Sequence, residues 1–166
     1  MASALADVAA RSANEATNAP GGSMYKFLEC TARQYMTGAV ITVTRQVTLR
    51  ELELLFEKHD FNSFPVVEEE KILGIVTKFD FLRAFAFTTR QVVPHYDDLM
   101  KRSVGEIMTQ RVVRVEPATP LTRVLDLMVD FNARSFPVVS SEDRLVGVIS
   151  REDVMRALRE ATQEVR

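Results

Sequence analysis

The chain is written twice, and that duplication limits its fold more than any other feature. Sliding the sequence by 72 positions lays Met36-Thr37 on Met108-Thr109 and Ser63-Phe64-Pro65-Val66-Val67 on Ser135-Phe136-Pro137-Val138-Val139. Over residues 36–67, 11 of 32 positions are then identical, with Val40/Val112, Val43/Val115, Leu49/Leu121 and Leu55/Leu127 filling the interval. One inserted residue in the Ser140–Arg144 turn, against Glu68–Lys71, moves the register to 73. Gly74-Ile75-Val76-Thr77-Lys78-Phe79-Asp80 then meets Gly147-Val148-Ile149-Ser150-Arg151-Glu152-Asp153. Register kept this well marks a tandem copy of one supersecondary unit.

Within each copy the order of elements is readable. Val40–Val43 and Val112–Val115 predict a first short strand. Leu49, Leu52, Phe56 and His59, and likewise Leu121, Val124, Met128 and Phe131, recur at helical spacing and give one apolar face. Phe64–Val67 with Ile72–Thr77, and Phe136–Val139 with Leu145–Ser150, predict hairpins. A second helix follows around Lys78–Phe87 and Arg151–Thr162. The fold class is therefore α/β (α+β), β-α-β-β-α twice, packed with pseudo-two-fold symmetry. A copy of about 60 residues buries too little apolar surface alone, so the two are expected to share one core. The expected organisation is a flexible tail over residues 1–23, a lead-in helix and first repeat over 24–88, a linker over 89–102 and a second repeat over 103–166. The lead-in, Lys26–Tyr35, is expected beside its own repeat. Pro94 disfavours helix at Val93 and marks a break between copies.

Composition narrows the function classes. With 21 Lys+Arg against 23 Asp+Glu, the chain lacks the basic surface of a nucleic-acid binder, so nucleic acid is not an expected partner. No apolar run approaches the roughly 20 residues of a membrane span. Cys30 is the single cysteine, and His59 and His95 stand far apart, so neither a disulfide nor a metal site is expected. Residues 1–23 lack the basic start and apolar stretch of a secretory signal, which points to a reducing cytoplasm.

The segments ending at Asp80 and Asp153 carry the chemistry. Each sets a hydroxyl, Thr77 or Ser150, at the end of a strand and an aspartate three residues later in a first helical turn. An ionised aspartate accepts from both hydroxyls of a ribose, through charge-assisted bonds worth about 1.5–3 kcal/mol each. The hydroxyl and the N–H groups of a helix start favour phosphate. The same pattern also fits a capping box, in which hydroxyl and acid only satisfy backbone donors. The motif in isolation leaves both readings open.

Its wider setting is more specific. Met-Thr before the first strand, helices starting near Leu49 and Leu121, the Ser-Phe-Pro-Val-Val strands and the two Thr/Ser-x-x-Asp closes together resemble a tandem pair of cystathionine-β-synthase (CBS) domains, the Bateman module, over about residues 31–162. The resemblance implies two pseudo-symmetric clefts for adenosine derivatives such as AMP, ADP, ATP or S-adenosylmethionine. The acid of one repeat would bind ribose, and the other repeat would lend its first strand and the loop before its Phe-Pro-Val strand. Carried over, one cleft combines Ser150, Asp153 and Val148 with Thr37, Ile41, Asn62 and Ser63. The other combines Thr77, Asp80 and Ile75 with Thr109, Val113, Ala133, Arg134 and Ser135. Arg134 stands where family members often carry a basic residue reaching toward phosphate, whereas its counterpart is Asn62. A guanidinium grips phosphate bidentately, so the Asp80 cleft is the expected site for a phosphorylated ligand.

The resemblance implies a regulatory sensor without catalytic residues or cofactor, signalling to a partner by population shift. The alternative is a ligand-free dimerisation module whose aspartates only cap helices. An enzyme has least support, since no nucleophile–base pair stands out. Phe79, Phe81 and Phe85, with Leu82, form a stripe wider than one repeat can hide, which predicts a helix-lined homodimer in keeping with the disk-like dimers of the family. Lys78 and Arg151 are expected to face solvent, and Asp97-Asp98 to form a solvated turn.

Overall fold

Each copy is built on an antiparallel hairpin, β1 (Ser63–Glu68) with β2 (Lys71–Thr77), and β3 (Ser135–Val139) with β4 (Leu145–Ser150). This computed structural model describes residues 25–86 and 95–163; the expected tail over 1–23 and the break at Val93 lie outside them. Both hairpins slip register at the same place, between Val66 and Val67 and between Val138 and Val139, so the copies share a bulge as well as a sequence. Helices α3 (Leu49–Lys58) and α7 (Leu121–Asp130) lie in the same sequence order ahead of each hairpin. Of the residues their apolar spacing singled out, they bury Leu49, Leu52, Leu121, Val124 and Met128, whereas Phe56 and His59 are half-buried and Phe131, just past the end of α7, is exposed. Each hairpin runs directly into a helix, α4 (Lys78–Arg83) or α8 (Arg151–Gln163). The expected span of the former to Phe87 is cut short, the helix proper ending at Arg83.

The predicted first strands are reduced to one parallel contact each, Val43 on Val66 and Val115 on Val138. Val43 and Val115 are buried, but Val40, Ile41, Val112 and Val113 line clefts and meet no strand partner.

The expected single core is instead two. One gathers Val43, Leu49, Leu52, Phe64, Val66 and Val76 with Met100, Val104, Ile107 and Met108. The other gathers Val115, Leu121, Val124, Phe136, Val138 and Ile149 with Phe27 and Ala32. The lead-in segments are thus exchanged. The first lead-in breaks into α1 (Tyr25–Glu29) and α2 (Ala32–Tyr35), and α1 packs on α7 and α8 of the second repeat rather than beside its own. The second, α5 (Tyr96–Met100) and α6 (Val104–Ile107), joins the first repeat, so residues 95–102, expected within a linker, supply the buried Leu99 and Met100.

Backbone hydrogen bonds draw the two seams with one pattern. Leu49 N donates to Arg102 O and Leu121 N to Cys30 O, both at 2.9 Å. Val104 N donates to Val47 O at 2.7 Å, and Ala32 N to Thr119 O at 2.9 Å. Cys30 O is therefore taken by α7, and Thr31 opens a new capped turn, which is why Lys26–Tyr35 is not one helix.

The phenylalanine stripe also divides. Phe81 and Phe85 pack against the first core, with ring centroids 5.2 Å apart. Phe79 and Leu82 remain 70% and 65% exposed.

Candidate functional site

The exchange forces each chain segment after a lead-in to cross the other repeat. Thr37 and Val148 trade backbone hydrogen bonds of 2.9 and 3.0 Å, and Thr109 and Ile75 do the same. Close passage needs a glycine beneath it. A Cβ on Gly74 would stand 2.5 Å from Thr109 O, and one on Gly147 would stand 2.8 Å from Met36 Sδ and 3.0 Å from Thr37 O. Two clefts open beside these crossings, of about 560 and 580 Å³, within the range of small-ligand sites.

The first cleft brings Thr37, Ile41, Asn62 and Ser63 together with Val148, Ser150 and Asp153. The second brings Ile75, Thr77 and Asp80 together with Thr109, Val113, Ala133, Arg134 and Ser135. Ile75, Asn62, Ser63, Arg134 and Ser135 line both, so the clefts adjoin. Each repeat supplies one side of each cleft.

Among the described residues, Asp80 and Asp153 are the buried charged side chains. Asp80 Oδ2 accepts from Thr77 N at 3.0 Å and Thr77 Oγ1 at 2.7 Å, while Asp80 N donates back to Thr77 Oγ1 at 3.0 Å. Asp153 repeats this with Ser150, at 2.9 and 2.7 Å. The capping box is thus formed in both copies. It occupies one carboxylate oxygen. The second, Oδ1, faces a guanidinium one turn on, Arg83 or Arg156, at 2.9 Å in each copy. A capping aspartate and a cleft-lining aspartate are here the same residue, and capping leaves Oδ1 to half-exposed arginines and, at Asp80, to the Thr109 hydroxyl.

The surroundings of the two acids differ. Thr109 Oγ1 lies 3.5 Å from Asp80 Oδ1. Arg156 Nη2 also donates to Tyr35 O at 2.8 Å, and its guanidinium lies over the Tyr35 ring. The Tyr35 hydroxyl donates to Glu160, and burial first, then that bond, pushes its pKa up to about 12, so it stays protonated near neutrality.

Several cleft residues escaped the sequence reading. Lys78, expected in solvent, is half-buried, lies over the Phe56 ring and lines the Asp80 cleft; Arg111 lines it too. Arg151, also expected in solvent, lines the Asp153 cleft with Asp60 and Glu152. Asp97 lies in the first turn of α5 and pairs with Arg50 rather than forming a solvated turn. No group of three or more His, Cys, Asp or Glu that could hold a metal occurs among the described residues, and none of their helices is long and apolar enough to cross a membrane.

Comparison with known proteins places this arrangement. A family model for the CBS domain matches residues 32–87 and 104–160. An A-adding tRNA nucleotidyltransferase of Geobacter sulfurreducens is 32% identical over 133 residues, which is 80% of this chain and 14% of that protein. Across three of the curated relatives it matches, the chain spans between 14% and 44% of their length. The CBS domain pair of protein MJ0100, solved in complex with 5′-methylthioadenosine and S-adenosyl-L-methionine, is similar in fold. Its TM-score is 0.65 at 26% identity, over 79% of this chain and 97% of that one. CBSX2, solved in complex with AMP, gives a TM-score of 0.66 at 25% identity, over 78% of this chain and 96% of that one.

Proposed function

This chain belongs to the CBS-domain family as a tandem pair, and on that premise we propose that it is a non-catalytic regulatory module binding adenosyl ligands in the two clefts between its repeats. The observation that carries the reading is the placement of a buried carboxylate, Asp80 or Asp153, on the wall of a nucleotide-sized cleft whose opposite wall comes from the other repeat. A ribose diol would take the Oδ1 that Arg83 or Arg156 now holds, leaving the cap on Oδ2 in place. The phosphorylated ligand, AMP, ADP or ATP, belongs to the Asp80 cleft, where Arg134, Arg111 and Lys78 converge.

Because each cleft is walled by both repeats, a ligand contacts both and favours one relative orientation of the halves. That differential contact is what a population shift requires. The output would pass to a regulated partner or through a homodimer formed on Phe79 and Leu82, which stand exposed on α4.

The formed caps favour a second reading, a structural dimerisation module whose aspartates serve only their helices. Thermal shift separates the two. A ligand at 100 times its Kd stabilises by about 2.7 kcal/mol, which for a chain of this size raises Tm by roughly 5–10 °C. A shift with any of AMP, ADP, ATP, 5′-methylthioadenosine or S-adenosylmethionine supports the sensor. A flat response to all of them at millimolar levels leaves the structural reading.

A further inference from the structure

The two clefts are made from copies of one unit, so matched positions can be compared side chain by side chain. Apart from Arg134 and Asn62, which each line both clefts, three of them differ in charge, always in the same direction: Arg111 against Ala39, Phe79 against Glu152, and Asn132 against Asp60. Each difference makes the Asp80 side more positive by one charge. The Asp80 cleft is lined by four bases and one acid, the Asp153 cleft by two bases and three acids. Nor are the two bases of the Asp153 cleft equally available. Arg151 is committed, its Nε donating to Ala133 O at 2.8 Å and its Nη2 to Asn132 Oδ1 at 3.0 Å. That leaves Arg134, which lines both clefts and makes no ion pair among the described residues. Asp60 and Glu152 are exposed at the cleft and likewise make none.

An anion in the Asp80 cleft has Lys78 and Arg111 beside it and draws Arg134 to the same side. The Asp153 cleft is then left with unpaired carboxylates at its mouth, a field that opposes phosphate and favours a neutral or positive group. We propose that the Asp153 cleft selects a phosphate-free nucleoside whose 5′ substituent is neutral or cationic, with Asp60 and Glu152 as its specificity-determining residues. The module therefore holds two chemically different adenosyl ligands at once. The inference rests on the adenosyl-binding reading above, and its test separates the two.

Isothermal titration of the full chain with AMP and with 5′-methylthioadenosine reads the preference directly. The wild-type chain is expected to take up one AMP, and then, with AMP saturating, one 5′-methylthioadenosine. The Asp153→Asn variant should lose the second event and keep the first. The double variant Asp60→Asn/Glu152→Gln, altered only at exposed positions, should admit a second AMP at least about tenfold more tightly than wild type. Its 5′-methylthioadenosine affinity should stay within about threefold of wild type. The discrimination should also shrink as salt is raised, because these charges are open to screening. If two AMP bind the wild-type chain with equal affinity, or the double variant leaves AMP binding unchanged, this selectivity is overturned while the sensor reading stands. If neither ligand binds the wild-type chain, both fall together.

Discussion

Around Asp80 and Asp153 the backbone is nearly superposable in its bonding: the same crossing, the same capping box and an arginine three residues on at 2.9 Å. Around the same two acids the cleft mouths diverge, basic and aromatic on one side, acidic on the other. The difference shows where a duplicated unit is free to change. Positions that let one segment pass over another, or that close a helix start, are tied to geometry and stay paired. Positions that only face the cleft carry no such load, and there the copies have separated in charge.

The largest effect comes from breaking a crossing. Gly74→Ala sets a methyl 2.5 Å from a backbone oxygen, whereas the nearest atom to a methyl at Gly147 is the sulfur of the flexible Met36 side chain. Overpacking of this kind costs about 1–3 kcal/mol, a fall in Tm of about 2–10 °C. Melting curves of Gly74→Ala and Gly147→Ala should show the larger loss for Gly74; equal losses would mean the two crossings are equally tight.

Next, Asp80→Asn should weaken AMP binding at least about tenfold, or about 1.4 kcal/mol, while Asp153→Asn changes it less than about threefold. Thr77 N and Oγ1 still find an amide oxygen in Asp80→Asn, so Tm should stay within about 2 °C of wild type. A collapse of the apo protein with AMP affinity intact would make the carboxylate purely structural. Arg134→Ala should cost AMP more than adenosine; equal losses in titration would remove its phosphate role.

The smallest effect sharpens the comparison at the seams. Where α6 joins the first repeat, Glu51 and Glu106 accept from Thr48 N at 2.8 Å and Ser103 N at 2.9 Å, and these backbone bonds hold both carboxyls below their usual 4.5. The matching seam uses Gln34 and Pro120, which do not titrate. Lowered folded values stabilise above the unfolded value, and the contribution fades as pH falls through the lowered ones. Between about pH 5 and 3, Glu51→Gln/Glu106→Gln should therefore lose Tm less steeply than wild type in a pH series of melts.

Much of this was legible in the chain. The hairpins, the apolar faces of α3 and α7 and the boxes at Thr77 and Ser150 are local patterns, set by residues a few positions apart. The exchange of lead-ins was not legible, because a repeat reads the same whichever copy its neighbour packs on; the choice lies in contacts between distant residues such as Phe27 and Leu121. Single-strand expectations at Val40–Val43 and Val112–Val115 failed for the same reason, since a cleft rather than a second strand faces them. Arg111, Asp60 and Glu152 are not marked by the features the copies share, because they stand where the copies differ in charge. Lys78 differs from these, being matched by Arg151, and its half-burial over Phe56 left no mark in the pattern.

The traded helices also give the molecule an order of birth. One hydrophobic nucleus uses only side chains lying from Val43 to Met108, an unbroken run of chain, and has all its parts once that run has left the ribosome. The other must await Ile149, Val154 and Ala161 and then retrieve Phe27 and Ala32 from far upstream, closing a long loop around a finished neighbour. A nascent chain therefore carries Phe27 uncovered until the second repeat has emerged, and the cut that looks natural between the copies would leave each half holding its sibling's missing piece.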